Sequence, residues 1–320
     1  MADADGAVHP RKDHLGLPAA ALLLGCCAFW GLQQVLVKAT LAEMPAAFQA
    51  MLRFAASTLC LMGWCRVRSI VLFDRDGSLW PGLLVGALFA GEMLCVFLGL
   101  QYIPASRLTV FLYASPLWAA LILPWVIRSE RLRALQWAGL LLAFLAVAYT
   151  LRDGLLRGQT EAQHWGDIFA LASGLFWAMT TVTIRSSDRL MRASAEKLLF
   201  YQVGGATVFS AALSLILGDV WVSSFSPFAM ASLGLQAVVG GFASYLVWMW
   251  MLGRYPATKM GAFALSTPVF SVLFGVLWLG EQVHIELVAA LAAVIFGITL
   301  VNRKPTVTPA SDAEAKTETT

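Results

Sequence analysis

The sequence predicts an all-α membrane protein: ten transmembrane helices arranged as two inverted five-helix repeats, with both termini cytoplasmic. Three observations carry that expectation. Hydrophobic residues make up 59% of the 320 residues and charged ones 13%, against roughly 45–50% and 25% in soluble domains. The apolar residues gather into stretches of about twenty, the length that crosses ~30 Å of hydrocarbon. The two halves also repeat each other's polar punctuation. Trp30, Gln33, Gln34 and Lys38 recur at the same spacing as Trp177, Thr180, Thr181 and Arg185. Pro104-Ala105-Ser106-Arg107 recurs as Pro256-Ala257-Thr258-Lys259, and Phe111, Ser115 and Pro116 recur as Phe263, Thr267 and Pro268. An odd number of spans per copy makes the second copy enter the bilayer from the other side.

The first repeat, 17–151, holds spans at 17–38, 45–64, 79–101, 105–127 and 135–151; the second, 165–301, holds spans at 165–185, 195–217, 228–252, 257–279 and 285–301. Residues 1–16 form a cytoplasmic N-terminal segment and 152–164 an external linker. The stretch 302–320, rich in Thr, Ala and acidic residues, lacks the apolar side chains that offset ordering entropy, and reads as a disordered cytoplasmic tail. Orientation follows from the basic residues, which accumulate in cytoplasmic loops. With the N-terminus inside, the 22 Lys and Arg fall on the cytoplasmic side except Lys38, Arg107, Arg152 and Arg157 outside and Arg53 within a span. Trp80, Trp125, Trp137, Trp165 and Trp221 lie near span ends, where indoles anchor at the headgroups.

Two ionisable residues lie inside spans, where such groups are costly and point to function. Arg53 is ~12 Å into span 2 and Glu92 ~15 Å below the same end of span 3, at 1.5 Å per residue. Consecutive antiparallel spans at nearly equal depth allow a direct ion pair. Arg53 and Glu92 are therefore either a structural pair that locks two helices or a site for charge recognition or proton coupling.

The Trp30, Gln33, Gln34, Lys38 face and its copy with Trp177 and Thr181 place ring and hydrogen-bonding groups on one side of each helix. The glutamines read as lining a wet cavity, while a threonine in a helix commonly bonds its own backbone or a neighbouring helix. Pro116 and Pro268 stand twelfth in spans 4 and 9 and each removes a backbone hydrogen bond. Paired helix breaks in two halves read either as a midplane binding site, which Tyr113, Ser115, Ser266 and Thr267 flank with hydroxyls, or as kinks healed by a neighbouring hydroxyl. The expected substrate-binding set is Trp30, Gln33, Gln34, Tyr113, Ser115, Trp177, Thr181 and Thr267.

No Gly-rich nucleotide loop occurs. Cys26, Cys27, Cys60, Cys65 and Cys95 lie in or beside spans without disulfide or zinc spacing. His284, between Glu281 and Glu286, reads as a solvated loop residue rather than a ligand. No cofactor, metal or nucleic-acid partner is expected. Small residues spaced by four, Gly82 and Gly86 in span 3 and Ala289, Ala293 and Gly297 in span 10, serve either intramolecular packing or a homodimer seam.

These residues resemble the EamA-type transporters of the drug/metabolite transporter superfamily. The resemblance rests on Phe29-Trp30-Gly31 with Lys38, Leu52-Arg53-Phe54, the passage from Pro104-Ala105-Ser106 through Tyr113-Ala114-Ser115-Pro116, Glu130 with Gln136-Trp137-Ala138-Gly139, and Tyr255-Pro256-Ala257 to Gly280-Glu281. It implies a multi-pass protein of a bacterial inner membrane, with spans 1, 3, 4, 6, 8 and 9 around a central cavity and spans 5 and 10 peripheral. It also implies export of amino acids, other metabolites or drugs, in some members in exchange for protons. Glu92 belongs to no motif of that resemblance. The expected activity is secondary-active export of small amphipathic metabolites such as amino acids by alternating access, with no enzymatic function. A membrane-embedded lipid or lipid-linked-sugar enzyme would need clustered carboxylates or histidines at one interface. A non-transporting receptor or assembly partner is the other alternative.

Overall fold

The computed structural model describes residues 16–126, 135, 137–139, 141–142, 145–146, 149, 160–221, 224–255, 260 and 263–301. The N-terminal segment, most of the linker, the tail, Glu130, Gln136 and the Pro256–Lys259 motif lie outside them, and span 5 is described only in part. Among the described residues all regular structure is helical. The elements are α1 (Leu17–Thr40), α2 (Ala46–Val67), α3 (Leu79–Tyr102), α4 (Ala105–Leu112), α5 (Ser115–Val126), α6 (Glu161–Ser186), α7 (Asp188–Arg192), α8 (Ala195–Ile216), α9 (Pro227–Leu235), a π-helical stretch (Gln236–Ala243), α10 (Ser244–Arg254), α11 (Thr267–Leu279) and α12 (Ile285–Val301). Among the described residues six helices are long and apolar enough to cross a membrane: α1, α2, α3, α6, α8, and the continuous run Pro227–Met251 that contains the π-helical stretch; α11 and α12 are shorter and also apolar.

The expected spans 4 and 9 are not single helices. α4 stops at Leu112, Tyr113 and Ala114 form a turn, and α5 starts at Ser115-Pro116. Residues 263–264 are helical, Leu265 and Ser266 form a turn, and α11 starts at Thr267-Pro268. A proline has no N–H for the bond to the carbonyl four residues back and fits the first turn of a helix, so in each case the chain stops and restarts there.

Close backbone approach at glycines fixes the helix crossings. A Cβ on Gly31 of α1 would lie 2.7 Å from the backbone nitrogen of Ser271, so α1 lies directly against α11. Gly174 of α6 faces the carbonyls of Phe111 and Leu112, with Cβ distances of 3.0 and 3.1 Å, so α6 lies against the interruption between α4 and α5. Gly86 of α3 and Gly205 of α8 abut backbone to backbone, which assigns Gly86 to packing within the chain. The interior of the bundle holds Phe54, Phe97, Leu100, Phe111 and Val203, with a second cluster of Leu23, Cys27, Trp30 and Met251. Trp125, Ile216 and Leu277 are exposed on helix faces that suit lipid.

Polar groups seal the helix ends. Lys38 donates to the carbonyls of Leu100 (2.9 Å) and Ile103 (2.7 Å) at the C-terminus of α3. Glu281 accepts from the backbone of Ala105 (2.7 Å) and Ser106 (3.1 Å) and from the Ser106 hydroxyl (2.7 Å) at the N-terminus of α4. One side chain is a cation at a helix C-terminus and the other an anion at a helix N-terminus, each matching the helix dipole. Arg107 grips Asp167 of α6 through both carboxylate oxygens, at 2.7 and 2.8 Å. In the loop before α3, Asp74 and Asp76 pair with Lys197 of α8, and Asp76 also accepts from the Ser78 backbone and hydroxyl. Hydrogen bonds from Lys197 and Ser78 hold the Asp76 carboxyl well below its usual range.

Candidate functional site

The site is built where α1, α2, α3, the interruption between α4 and α5, α6 and the π-helical stretch converge. Arg53 of α2 is 2% exposed. Its Nη2 donates to Gln33 Oε1 at 2.9 Å, and its guanidinium lies over the rings of Phe54 and Phe97, 5.0 and 5.7 Å from their centroids. The π-helical stretch makes room for this arrangement. A Cβ on Gly240 would sit 2.5 Å from Gln33 Oε1, and one on Gly241 would sit 2.1 Å from Ser57 Oγ. An extra residue in a helical turn displaces backbone carbonyls, and hydroxyls meet two of those here: Ser57 donates to Ala237 at 3.0 Å and Ser244 to Gly240 at 2.9 Å.

Aromatic rings continue from there. Trp30 Nε1 donates to Ser244 Oγ at 2.9 Å, and the Trp30 ring lies 5.9 Å from Tyr245 and 5.2 Å from Trp248. Tyr245 meets Phe89 of α3 edge to face at 6.0 Å. Across the site, Tyr113 in the α4–α5 interruption meets Trp177 of α6 edge to face at 5.3 Å. Glu92 of α3 is 5% exposed and lies within electrostatic range of Tyr113, Tyr245 and Cys95. It makes no hydrogen bond or ion pair among the described residues.

Arg53 and Glu92 do not form the ion pair that their matching depths allow. Depth fixes height along the helices but not direction around them. Arg53 points to Gln33, the π-helical stretch and the Phe54 and Phe97 rings, and among the described residues no hydrogen bond or ion pair joins it to Glu92.

Of the expected binding residues, Trp30, Gln33, Tyr113, Trp177 and Thr267 fall into this region. The Thr267 hydroxyl is buried beside Tyr113 and Cys27. Thr181 donates to the Trp177 carbonyl of its own helix at 3.1 Å, as Thr180 does to Phe176 at 2.9 Å. Gln34 and Ser115 are buried and make no side-chain hydrogen bond among the described residues. Pro116 and Pro268 stand at the restarts of α5 and α11. Gly240, Ser244 and Tyr245 were not among the expected binding residues. The Gly240-Gly241 pair beside an aromatic run was the available signal, since two adjacent glycines in a span invite a local change of helix geometry. No group of three or more His, Cys, Asp or Glu suited to a metal occurs among the described residues.

A bundle of apolar helices with paired interruptions and buried polar groups at mid-depth defines a membrane transport protein. The chain matches the EamA-like transporter family over residues 17–152 and again over 164–303, and it belongs to that family. It is 26% identical over 273 residues to an uncharacterized transporter of Archaeoglobus fulgidus, covering 85% of this chain and 90% of the relative. It is 26% identical to the uncharacterized transporter YvbV of Bacillus subtilis, over 89% and 92% of the two chains. The uncharacterized inner membrane transporter YedA of Escherichia coli is 24% identical over 92% of this chain and 95% of its own. A crystal structure of 21% sequence identity superposes with a TM-score of 0.62, covering 89% of this chain and 97% of the other, a likeness of fold.

Proposed function

We propose that this protein is a secondary-active transporter of the inner membrane that exports small amphipathic metabolites, such as amino acids, by alternating access. Its frame is two inverted five-helix repeats, 17–151 and 165–301, with both termini in the cytoplasm. The observation that carries the reading is the pair of interrupted helices. α4 and α5 break at Tyr113-Ala114 before Pro116, and the chain turns at Leu265-Ser266 before Pro268. α6 lies against the first interruption through Gly174, while Cys27 of α1 lies beside Ser266 and Thr267 at the second. Each interruption thus meets a helix of the other half, the arrangement of a midplane site between rocking repeats. The double family match, once over each half, supports the same reading.

In this proposal Trp30, Gln33, Gln34, Tyr113, Ser115, Trp177, Thr181 and Thr267 line the substrate path, while Arg53 and Glu92 supply charge recognition or proton coupling. Proteoliposome uptake of labelled amino acids, with and without a pH gradient, tests it. Transport by wild type that the gradient accelerates is the expected result. Equal fluxes from Glu92→Gln and wild type would remove the coupling role, and absence of flux for every solute in a broad metabolite panel would remove the transport role. Topology is tested separately: cysteine labelling that places Arg66 and Arg189 on opposite sides contradicts the inverted repeat.

A further inference from the structure

We propose that the loop between α2 and α3, together with α7, is a binding surface for the headgroups of anionic phospholipids. The inference goes beyond the transport reading and takes from it only the leaflet that the surface meets, the cytoplasmic one.

Two loops of the structure are built alike and differ in charge. α2 and α8 end in the same turn: Ser69 has φ 55° and the Ile70 N–H donates to the Cys65 carbonyl at 2.8 Å, while Gly218 has φ 68° and the Asp219 N–H donates to Ser214 at 3.0 Å. Each loop is then fastened to the other half of the chain. Asp74 and Asp76 pair with Lys197, and the Gly77 carbonyl accepts from Arg189 at 3.2 Å. In the other loop Ser226 donates to Glu43 through its backbone at 2.9 Å and its hydroxyl at 2.7 Å. Both loops also turn large apolar side chains outward just past a helix end, Val71 and Phe73 in one and Val220 and Trp221 in the other, each exposed over half of its surface or more. Apolar and aromatic side chains held at that level enter the headgroup zone.

Residues 217–226 contain no Lys or Arg, and the acids Asp219 and Glu43 lie in and beside them. The end of α2 and its loop carry Arg66, Arg68 and Arg75, and α7, held to that loop through Arg189, adds Arg189 and Arg192; all five are exposed. Against them stand Asp74 and Asp76, shared with Lys197, and Asp188 and Glu196, so positive charge is in excess. The Arg68 guanidinium lies over the Trp64 ring, 5.1 Å from its centroid, which holds a cation beside an indole of the last turns of α2. Arg clusters next to a span recognise anionic headgroups, and a guanidinium fork matches phosphate oxygens. A zwitterionic headgroup brings the same phosphate with its charge already balanced by an ammonium. The surface should therefore tell phosphatidylglycerol from phosphatidylcholine.

The test uses the full chain purified in detergent and three probes: phosphatidylglycerol, phosphatidylcholine and inorganic phosphate. Titrations followed by thermal melting give an apparent affinity for each. Wild type should bind phosphatidylglycerol at least about fivefold tighter than phosphatidylcholine. Arg66→Gln, Arg68→Gln and Arg75→Gln combined should weaken phosphatidylglycerol by at least about tenfold and leave phosphatidylcholine unchanged. Arg189→Gln with Arg192→Gln should weaken it by at least about fivefold, and this pair decides the matter where the triple variant does not fold. Equal affinity of wild type for the two lipids, or phosphatidylglycerol affinity within about twofold of wild type in either variant, overturns the proposal. Stabilisation by inorganic phosphate equal to that by phosphatidylglycerol also overturns it, since the surface then binds a free anion and not a headgroup. Phosphatidylglycerol binding without solute flux in proteoliposomes refutes the transport reading alone, whereas flux from a protein that binds both lipids equally refutes this inference alone.

Discussion

Gly240→Ala is a sharp perturbation of the candidate site. A methyl at that position would lie 2.5 Å from Gln33 Oε1, 3.3 Å from the Phe29 ring and 3.5 Å from Arg53 Nη2. The nearest atom is the end of a flexible side chain, so Gln33 swings away before any backbone separates. The loss is then the hydrogen bond that Gln33 accepts from Arg53. A bond to a charged group contributes ~1.5–3 kcal/mol in general, while side-chain bonds between membrane helices reach at most ~1.7 kcal/mol. About 1.5 kcal/mol is the value where the two ranges meet. Replacing Gly by Ala within a helix returns up to ~1 kcal/mol, so the single variant alone changes little and a double-mutant cycle is required. With Gln33→Ala already in place, Gly240→Ala meets no carbonyl and should be neutral or stabilising. Unfolding of all four proteins by SDS in mixed micelles should therefore give a coupling energy of about 1.5 kcal/mol. Additivity within ~0.3–0.5 kcal/mol, as for independent sites, would falsify the claim that the π-helical stretch and Arg53 meet through Gln33.

Three further outcomes follow from the helix contacts. Gly86→Ala places a methyl 2.4 Å from the Tyr201 backbone carbonyl, which cannot swing aside, so α3 and α8 must part; a loss of ~1–3 kcal/mol should lower the melting temperature, and wild-type melting refutes the crossing. Glu281→Ala removes all three hydrogen bonds at the N-terminus of α4 and should cost ~0.5–2 kcal/mol, as lost caps do; unchanged thermal stability contradicts it. Asp76, held below its ordinary value of 3.8 by Lys197 and Ser78, contributes stability that is complete above that pH and is lost as pH falls through its lower folded-state value. Melting of Asp76→Asn should therefore fall below wild type equally at pH 8 and pH 5, and equal melting of the two proteins at either pH removes the ion pair from the account.

The apolar stretches were readable because lipid enforces a length and leaves few alternatives to helix. The proline positions were readable too, since a missing N–H acts wherever it occurs. The geometry around Arg53 was not. Spacing along α2 and α3 set its height relative to Glu92, but its direction depends on where Gln33 and the π-helical stretch lie, and those are facts of assembly. Thr181 shows the same limit from the other side: its place on the Trp177 face was legible, whereas its choice of its own backbone over the site was settled by local bonding. Tyr245, whose ring meets Trp30 and Phe89, carries no spacing signal that separates it from the other aromatics of the spans.

Lys38 and Glu92 divide along a physical line that sequence position alone does not draw. Both are ionisable residues of apolar helices, and Lys38 shares a face with Trp30 and Gln34. Yet Lys38 ends at the carbonyls of Leu100 and Ile103, orphan acceptors of a helix terminus, so its charge is consumed in closing α3. Glu281 is consumed in the same way by the first amides of α4. Glu92 sits ten residues from the end of α3 at Tyr102, too far to meet any orphan backbone group of its own helix. A buried charge at a helix end has a structural partner supplied by the backbone; one at mid-helix has none unless another side chain or a bound molecule provides it. Arg53 finds Gln33. Glu92 finds no such side chain among the described residues.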